Sequence, residues 1–96
     1  MTEEWSLTWQ GQTWTNRDMT GDHAAAVAEM IGAPPGWDWF DLSELHPARG
    51  PLQVMSLLAA FVVVAEGVQG TAARVTVLNT IKEATVDVLL AAVQLP

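Results

Sequence analysis

Residues 51–66 read PLQVMSLLAAFVVVAE, and the fold turns on how this stretch is hidden. Pro51 suits the first turn of a helix, where its missing N–H would have had no intrahelical partner, and Gly67 and Gly70 stop the run. On a helical projection Val54, Leu58, Phe61 and Ala65 share one face, while Leu52, Met55, Ala59 and Val63 fall roughly opposite. A helix apolar nearly all round is normally sandwiched between two layers. The apolar core of the run, 54–65, is about twelve residues long, where a bilayer-spanning helix needs roughly twenty, so a core helix is expected and a membrane is not a partner.

The rest of the 96-residue chain is unevenly divided around this helix. Eight of the eleven acids and all five tryptophans lie in residues 1–44, whereas 28 of the 46 residues from 51 to 96 are apolar. The net charge of −7 therefore resides in the front section, and residues 45–96 sum to zero. A domain this small buries only about two-thirds of the surface its unfolded chain exposes. So apolar a rear half must lean on the front half or on another chain, which favours an interaction protein over an enzyme. One domain with one modest core is expected.

Upstream, Trp5, Leu7 and Trp9 alternate with polar residues, the period of a strand with one buried face. Gln10-Gly11-Gln12 supplies a turn and Thr13-Trp14-Thr15 a return strand, giving a β-hairpin within residues 1–16. Its tryptophan face must pack on something, because a lone hairpin is marginal in water. Thr20 is a candidate N-cap and Asp22 lies in the first helical turn. Ala24, Val27, Ala28 and Ile31 follow helical spacing and Gly32 stands at the left-handed cap position, so residues 20–32 form an amphipathic helix. Residues 33–50 are an acidic, tryptophan-containing connector broken by Pro34, Pro35 and Pro47.

Residues 71–94 alternate acceptably as strands over 74–78 and 84–88, yet Thr71 and Thr85 are placed to cap helices. In the second of these Val86, Leu89, Leu90 and Val93 sit at i, i+3, i+4 and i+7. The helical reading is preferred. The fold class is then α+β and predominantly α-helical: an N-terminal β-hairpin followed by a small bundle of three to five helices.

Few constellations suggest chemistry. With no cysteine, disulfides, thiolate metal sites and cysteine nucleophiles are excluded together, which fits a reducing compartment. Four bases, Arg17, Arg49, Arg74 and Lys82, cannot build the cationic footprint that binding nucleic acid requires. Asp41, Glu44 and His46 offer mixed metal-ligand types but match no ligand spacing, so a solvated acidic loop is the expectation. His23 beside Asp22, on the flank of the first helix, reads as a cap or a surface hydrogen-bonding group, since no nucleophile motif accompanies it. No glycine pattern fits a phosphate loop. No enzyme activity, cofactor or metal is expected, and the acidic residues 1–4 do not resemble a secretory leader.

The candidate binding residues are the second face of the 51–66 helix, Leu52, Met55, Ala59 and Val63, together with Trp37 and Trp39 in the connector. Methionine among small alanines suits a surface that accepts varied apolar partners. Val86, Leu90 and Val93 are a further candidate stripe. Paired tryptophans near prolines and glycine either pin the connector to the core or anchor a partner.

The order of these features, Trp5-x-Leu7 with Gly11 and Trp14, then Asp18-Met19-Thr20, then residues 24–29 with Ile31-Gly32, then Trp37, Leu42 and Pro47 before an apolar helix, resembles the small tail assembly chaperones of long-tailed bacteriophages infecting actinobacteria. The likeness covers residues 4 to 66 and fades beyond; Met19 stands where leucine is expected. The resemblance implies a host-cytoplasmic protein that binds the long helical tape measure protein, keeps it soluble and is absent from the mature virion. It also implies tail tube subunits as further partners, and a chain stopping at Pro96 as the short form of a frameshifted pair. Self-association through the same apolar face is compatible with the sequence. The alternatives are a structural virion protein such as a head-tail connector, and an acidic host-directed regulator.

Overall fold

The computed structural model describes residues 4–32 and 46–95. Strands β1 (Ser6–Trp9) and β2 (Gln12–Thr15) form the expected hairpin, with Leu7 opposite Trp14 and Trp9 opposite Gln12. The two-residue loop has positive φ at both Gln10 and Gly11, the handedness that matches the right-handed twist of paired strands. Trp5 and Leu7 are buried and Trp9 half-buried. On the outer face the Thr8 and Thr13 hydroxyls meet at 2.9 Å. Alternation has sorted the two faces as the sequence predicts.

Helix α1 (Gly21–Ile31) begins at Thr20, whose hydroxyl accepts from the Asp22 N–H, and ends at Gly32 with φ 73° and ψ 38°. Its buried face is His23, Ala26, Val27 and Met30, one register away from the expected Ala24, Val27, Ala28 and Ile31, and Ile31 is 46% exposed. Both stripes have helical spacing; a histidine at the head of the true one disguised it.

Helix α2 (Pro51–Glu66) has the expected bounds, with Pro51 at its first position and Gly67 closing it at φ 66°. It is the axis of the molecule, packed against α1, α3 (Thr71–Lys82), α4 (Val86–Ala91) and the 3-10 turn Pro47–Arg49. Phe61 meets the hairpin, stacking on Trp14 with ring centroids 5.3 Å apart and meeting Trp5 edge-on. Small size is offset by surrounding one apolar helix with short elements.

The rear section is helical in α3 and α4. Thr85 caps α4 as expected, its hydroxyl accepting from the Val88 N–H, whereas Gly70 precedes α3 and Thr71 lies inside the first turn without capping it. Arg74 ties α3 to its surroundings: Nε donates to the Val68 carbonyl at 2.9 Å and the guanidinium lies 3.7 Å from Glu29. The expected helix through Val93 stops at Ala91. Val93–Gln94 instead form β3, antiparallel to β1, in the sheet order β2-β1-β3. The Ala92 carbonyl accepts from Thr8 N–H at 2.9 Å, and Gln94 pairs with Ser6. The cause is the second edge of β1, whose outward amides find a partner only in a segment far away in sequence.

Candidate interaction surface

The second face of α2 is not a surface. Ala59 and Val63 have no exposed area, and Met55 is half-buried against the core. Of the four residues on that face, Leu52 alone, at the start of the helix, stands open, at 73% exposure. This corrects the expectation that Met55, Ala59 and Val63 await another chain: neighbouring elements of the same chain already cover them. Trp37 and Trp39 lie outside the described residues, as do Asp41 and Glu44.

The apolar surplus emerges elsewhere. Among the described residues six large apolar side chains are exposed, and four of them, Val86, Val88, Leu90 and Leu95, cluster between positions 86 and 95. Helix α4 is only six residues long, so one stripe, headed by Leu89, reaches the core and the other aliphatic side chains point away. The surface is shaped rather than flat. A depression of about 440 Å³ is lined by Pro47, Ala48, Gly50, Leu90, Val93 and Leu95. On the other flank of α4, Trp9, Val88 and Ala92 line a second of about 340 Å³. Of the further stripe expected from the sequence, Val86 and Leu90 are exposed and Val93 is half-buried in the sheet. Val88 and Leu95 join the surface without belonging to that stripe; the signal for them is an aliphatic-rich helix too short to bury more than one face.

Half-exposed aliphatic groups of this kind contribute roughly 1 kcal/mol each when a partner covers them, about half of what full burial contributes. Four together reach roughly 4 kcal/mol, at or below the cost of association. Taken alone, such a patch leaves no net binding free energy once that cost is set against it, so a partner must add contacts beyond these four side chains.

The histidines serve structure. His23 is buried, its ring centroid 4.9 Å from that of Phe61, and Nδ1 accepts from the Thr20 N–H at 2.9 Å to complete the α1 capping box. Burial lowers its pKa, with Asp22 and Asp18 pulling the other way. The capping role agrees with the sequence reading, while the exposed position does not. His46 Nδ1 accepts from Ala48 N–H at the head of its 3-10 turn. Among the described residues no group of three His, Cys, Asp or Glu side chains is placed to hold a metal ion, and no helix is long and apolar enough to cross a membrane.

No known protein family, curated protein or solved structure matches this chain.

Proposed function

We propose that this protein is a tail assembly chaperone that binds the apolar helical tape measure protein and keeps it soluble until the tail is built. The observation that carries the reading is the exposure of Val86, Val88, Leu90 and Leu95 on α4 and the segment after it, Leu90 and Leu95 lining one depression and Val88 another on the opposite flank, in a chain whose other described apolar side chains are largely covered. An exposed, grooved apolar patch rimmed by polar residues marks a site of protein association. Supporting it are the order of motifs over residues 4–66, which resembles that family, and the net charge of −7, which keeps complexes mutually repelling and dispersed. The aliphatic side chains of this surface carry no group suited to catalysis, so binding is their whole chemistry.

The test is co-expression with a candidate tape measure protein, scoring how much of that protein stays in the soluble fraction. Wild type is expected to raise it, and the double variant Val88→Asp with Leu90→Asp to lose the effect while remaining folded. Equal rescue by the double variant, or no rescue by wild type, would overturn the proposal. Finding the protein as a fixed component of purified virions would point instead to a structural role for the same surface.

A further inference from the structure

We infer that the first turn of α1 is a latch that acid opens. A proton taken up at Nδ1 of His23 turns the acceptor that closes the capping box into a donor, and residues 20–24 then leave Phe61 while the rest of the domain stays folded. The geometry fixes where the ring carries its hydrogens. Nδ1 accepts from the Thr20 backbone N–H at 2.9 Å, and a backbone amide can only donate, so the neutral ring holds its hydrogen on Nε2. Imidazolium has a hydrogen on both nitrogens. In that form Nδ1–H faces the Thr20 N–H, and the capping box loses one of its two bonds. The Thr20 hydroxyl, 3.1 Å from Nδ1, already accepts from the Asp22 N–H, and a ring that turned to it would still leave the Thr20 amide without its acceptor. A positive charge would also stand in the first turn of a helix, where the dipole favours a negative one.

Little else holds this turn. Thr20, Gly21 and Asp22 are exposed, His23 is buried, and the next buried side chains of the helix are Ala26 and Val27. Gly21 adds the weakest helix former other than proline. On the preceding side, Met19 is half-buried against the core. The segment is thus tied down at Met19 and Ala26, and between them only His23 and the half-buried Ala24 hold it in place. Such a segment opens without unfolding α2, α3 or the sheet. Its release uncovers the side of Phe61 that His23 occupies, where the ring centroids are 4.9 Å apart.

Few charges act on the ring. Asp22 on α1 and Asp18 on the preceding turn attract imidazolium, and the Phe61 ring does so weakly. Strands β1 and β2 and their loop contain no charged residue, and the one charged residue of α2, Glu66, is its last. On α3, Arg74 is paired with Glu29, and His46 meets the ring of Trp5 at 6.2 Å. Burial outweighs the two aspartates, so the folded turn holds the proton less tightly than an opened one does. Proton uptake therefore favours the open turn as the pH falls below 6.5 through the lowered folded value.

The test is an NMR titration of the isotopically labelled full chain from about pH 7.5 to about pH 4.5, spanning the histidine range and stopping at the carboxylate one. Ring nitrogen signals are expected to show an unprotonated Nδ1 at neutral pH. Amide exchange is measured in parallel, as protection relative to the intrinsic rate at each pH. As His23 takes up its proton, protection at Thr20, His23 and Ala24 is expected to fall roughly tenfold or more, while that of Val63 and Leu78 holds. A neutral ring protonated on Nδ1, protection lost equally in all helices, or a first turn still protected once His23 is charged would overturn the latch. His23→Gln sets a non-titrating acceptor at the capping-box position and should keep first-turn protection level across the same range. A glutamine variant that opens at the same pH as wild type would also overturn it. Should that variant not fold, the ring signals and the exchange pattern of the wild type decide by themselves.

Discussion

Replacing Phe61 with leucine tests the packing that makes so small a domain possible. Phe61 is 1% exposed and lies where α1, α2 and the hairpin meet. Its ring stacks on Trp14 at 5.3 Å with an interplanar angle of 5°, meets Trp5 at 6.3 Å, and lies 4.9 Å from His23. Leucine keeps most of the apolar bulk and removes the ring. Each aromatic pair is worth about 0.5–1.5 kcal/mol beyond its buried area, so losing the two indole contacts costs about 1–3 kcal/mol. Phe61→Ala adds a cavity and costs about 3–5 kcal/mol, a large share of the roughly 5–15 kcal/mol that holds a domain together. Urea unfolding followed by tryptophan fluorescence reads both values, with the midpoint shifting and the slope unchanged. A double-mutant cycle with Trp14→Leu isolates the stack, for which a coupling of about 0.5–1.5 kcal/mol is expected. A loss below about 0.5 kcal/mol in Phe61→Leu, or strict additivity with Trp14→Leu, would refute the three-way junction.

Other consequences follow from the same packing. Val63→Asp places an unpaired charge where there is no exposed area and should leave the chain unfolded by circular dichroism, whereas Leu90→Asp should change stability by no more than about 0.5 kcal/mol; the opposite order would contradict the burial described. His23 has a folded-state pKa lowered below 6.5, so the unfolded chain takes up the proton first. The stability tied to its neutral form is present above pH 6.5 and falls away as the pH drops through the lowered folded value. His23→Gln should flatten this acid-side slope in urea titrations, and an identical slope in both proteins would remove the role. Gly67 holds φ 66° with open space for at least 4 Å around the point a Cβ would take, so Gly67→Ala should cost about 1 kcal/mol through backbone conformation alone. A neutral thermal-melt result would show that α2 can end differently.

Local chemistry was legible in the sequence wherever a residue acts on its own neighbours. Thr20 and Thr85 cap their helices, Gly32 and Gly67 take left-handed turns, Pro51 opens α2, and Gln10-Gly11 turns the hairpin. What escaped were choices made by distant partners. Val93 has helical spacing with Leu89 and Leu90, but the free edge of β1 claims it for the sheet. The α1 face is set by Phe61, which accepts the ring of His23 and so turns a polar residue inward. The exposed apolar face was obscured in the same way: spacing shows that α2 is apolar on both sides, but not that the chain's own short elements can enclose it. The exposed surplus then falls on α4, whose length of six residues is too short to bury its aliphatic side chains.

Residues 86–95 and the groove beside them are proposed to receive the partner. Amide hydrogen exchange across the whole chain, free and in complex with a candidate tape measure protein, tests it most directly. Slower exchange on binding is expected in Val86–Ala91, Val93, Leu95 and the Pro47–Arg49 turn, with α1 and the outer Thr8 and Thr13 face unchanged. Protection appearing on α1 or that outer face, with residues 86–95 exchanging as before, would contradict the account.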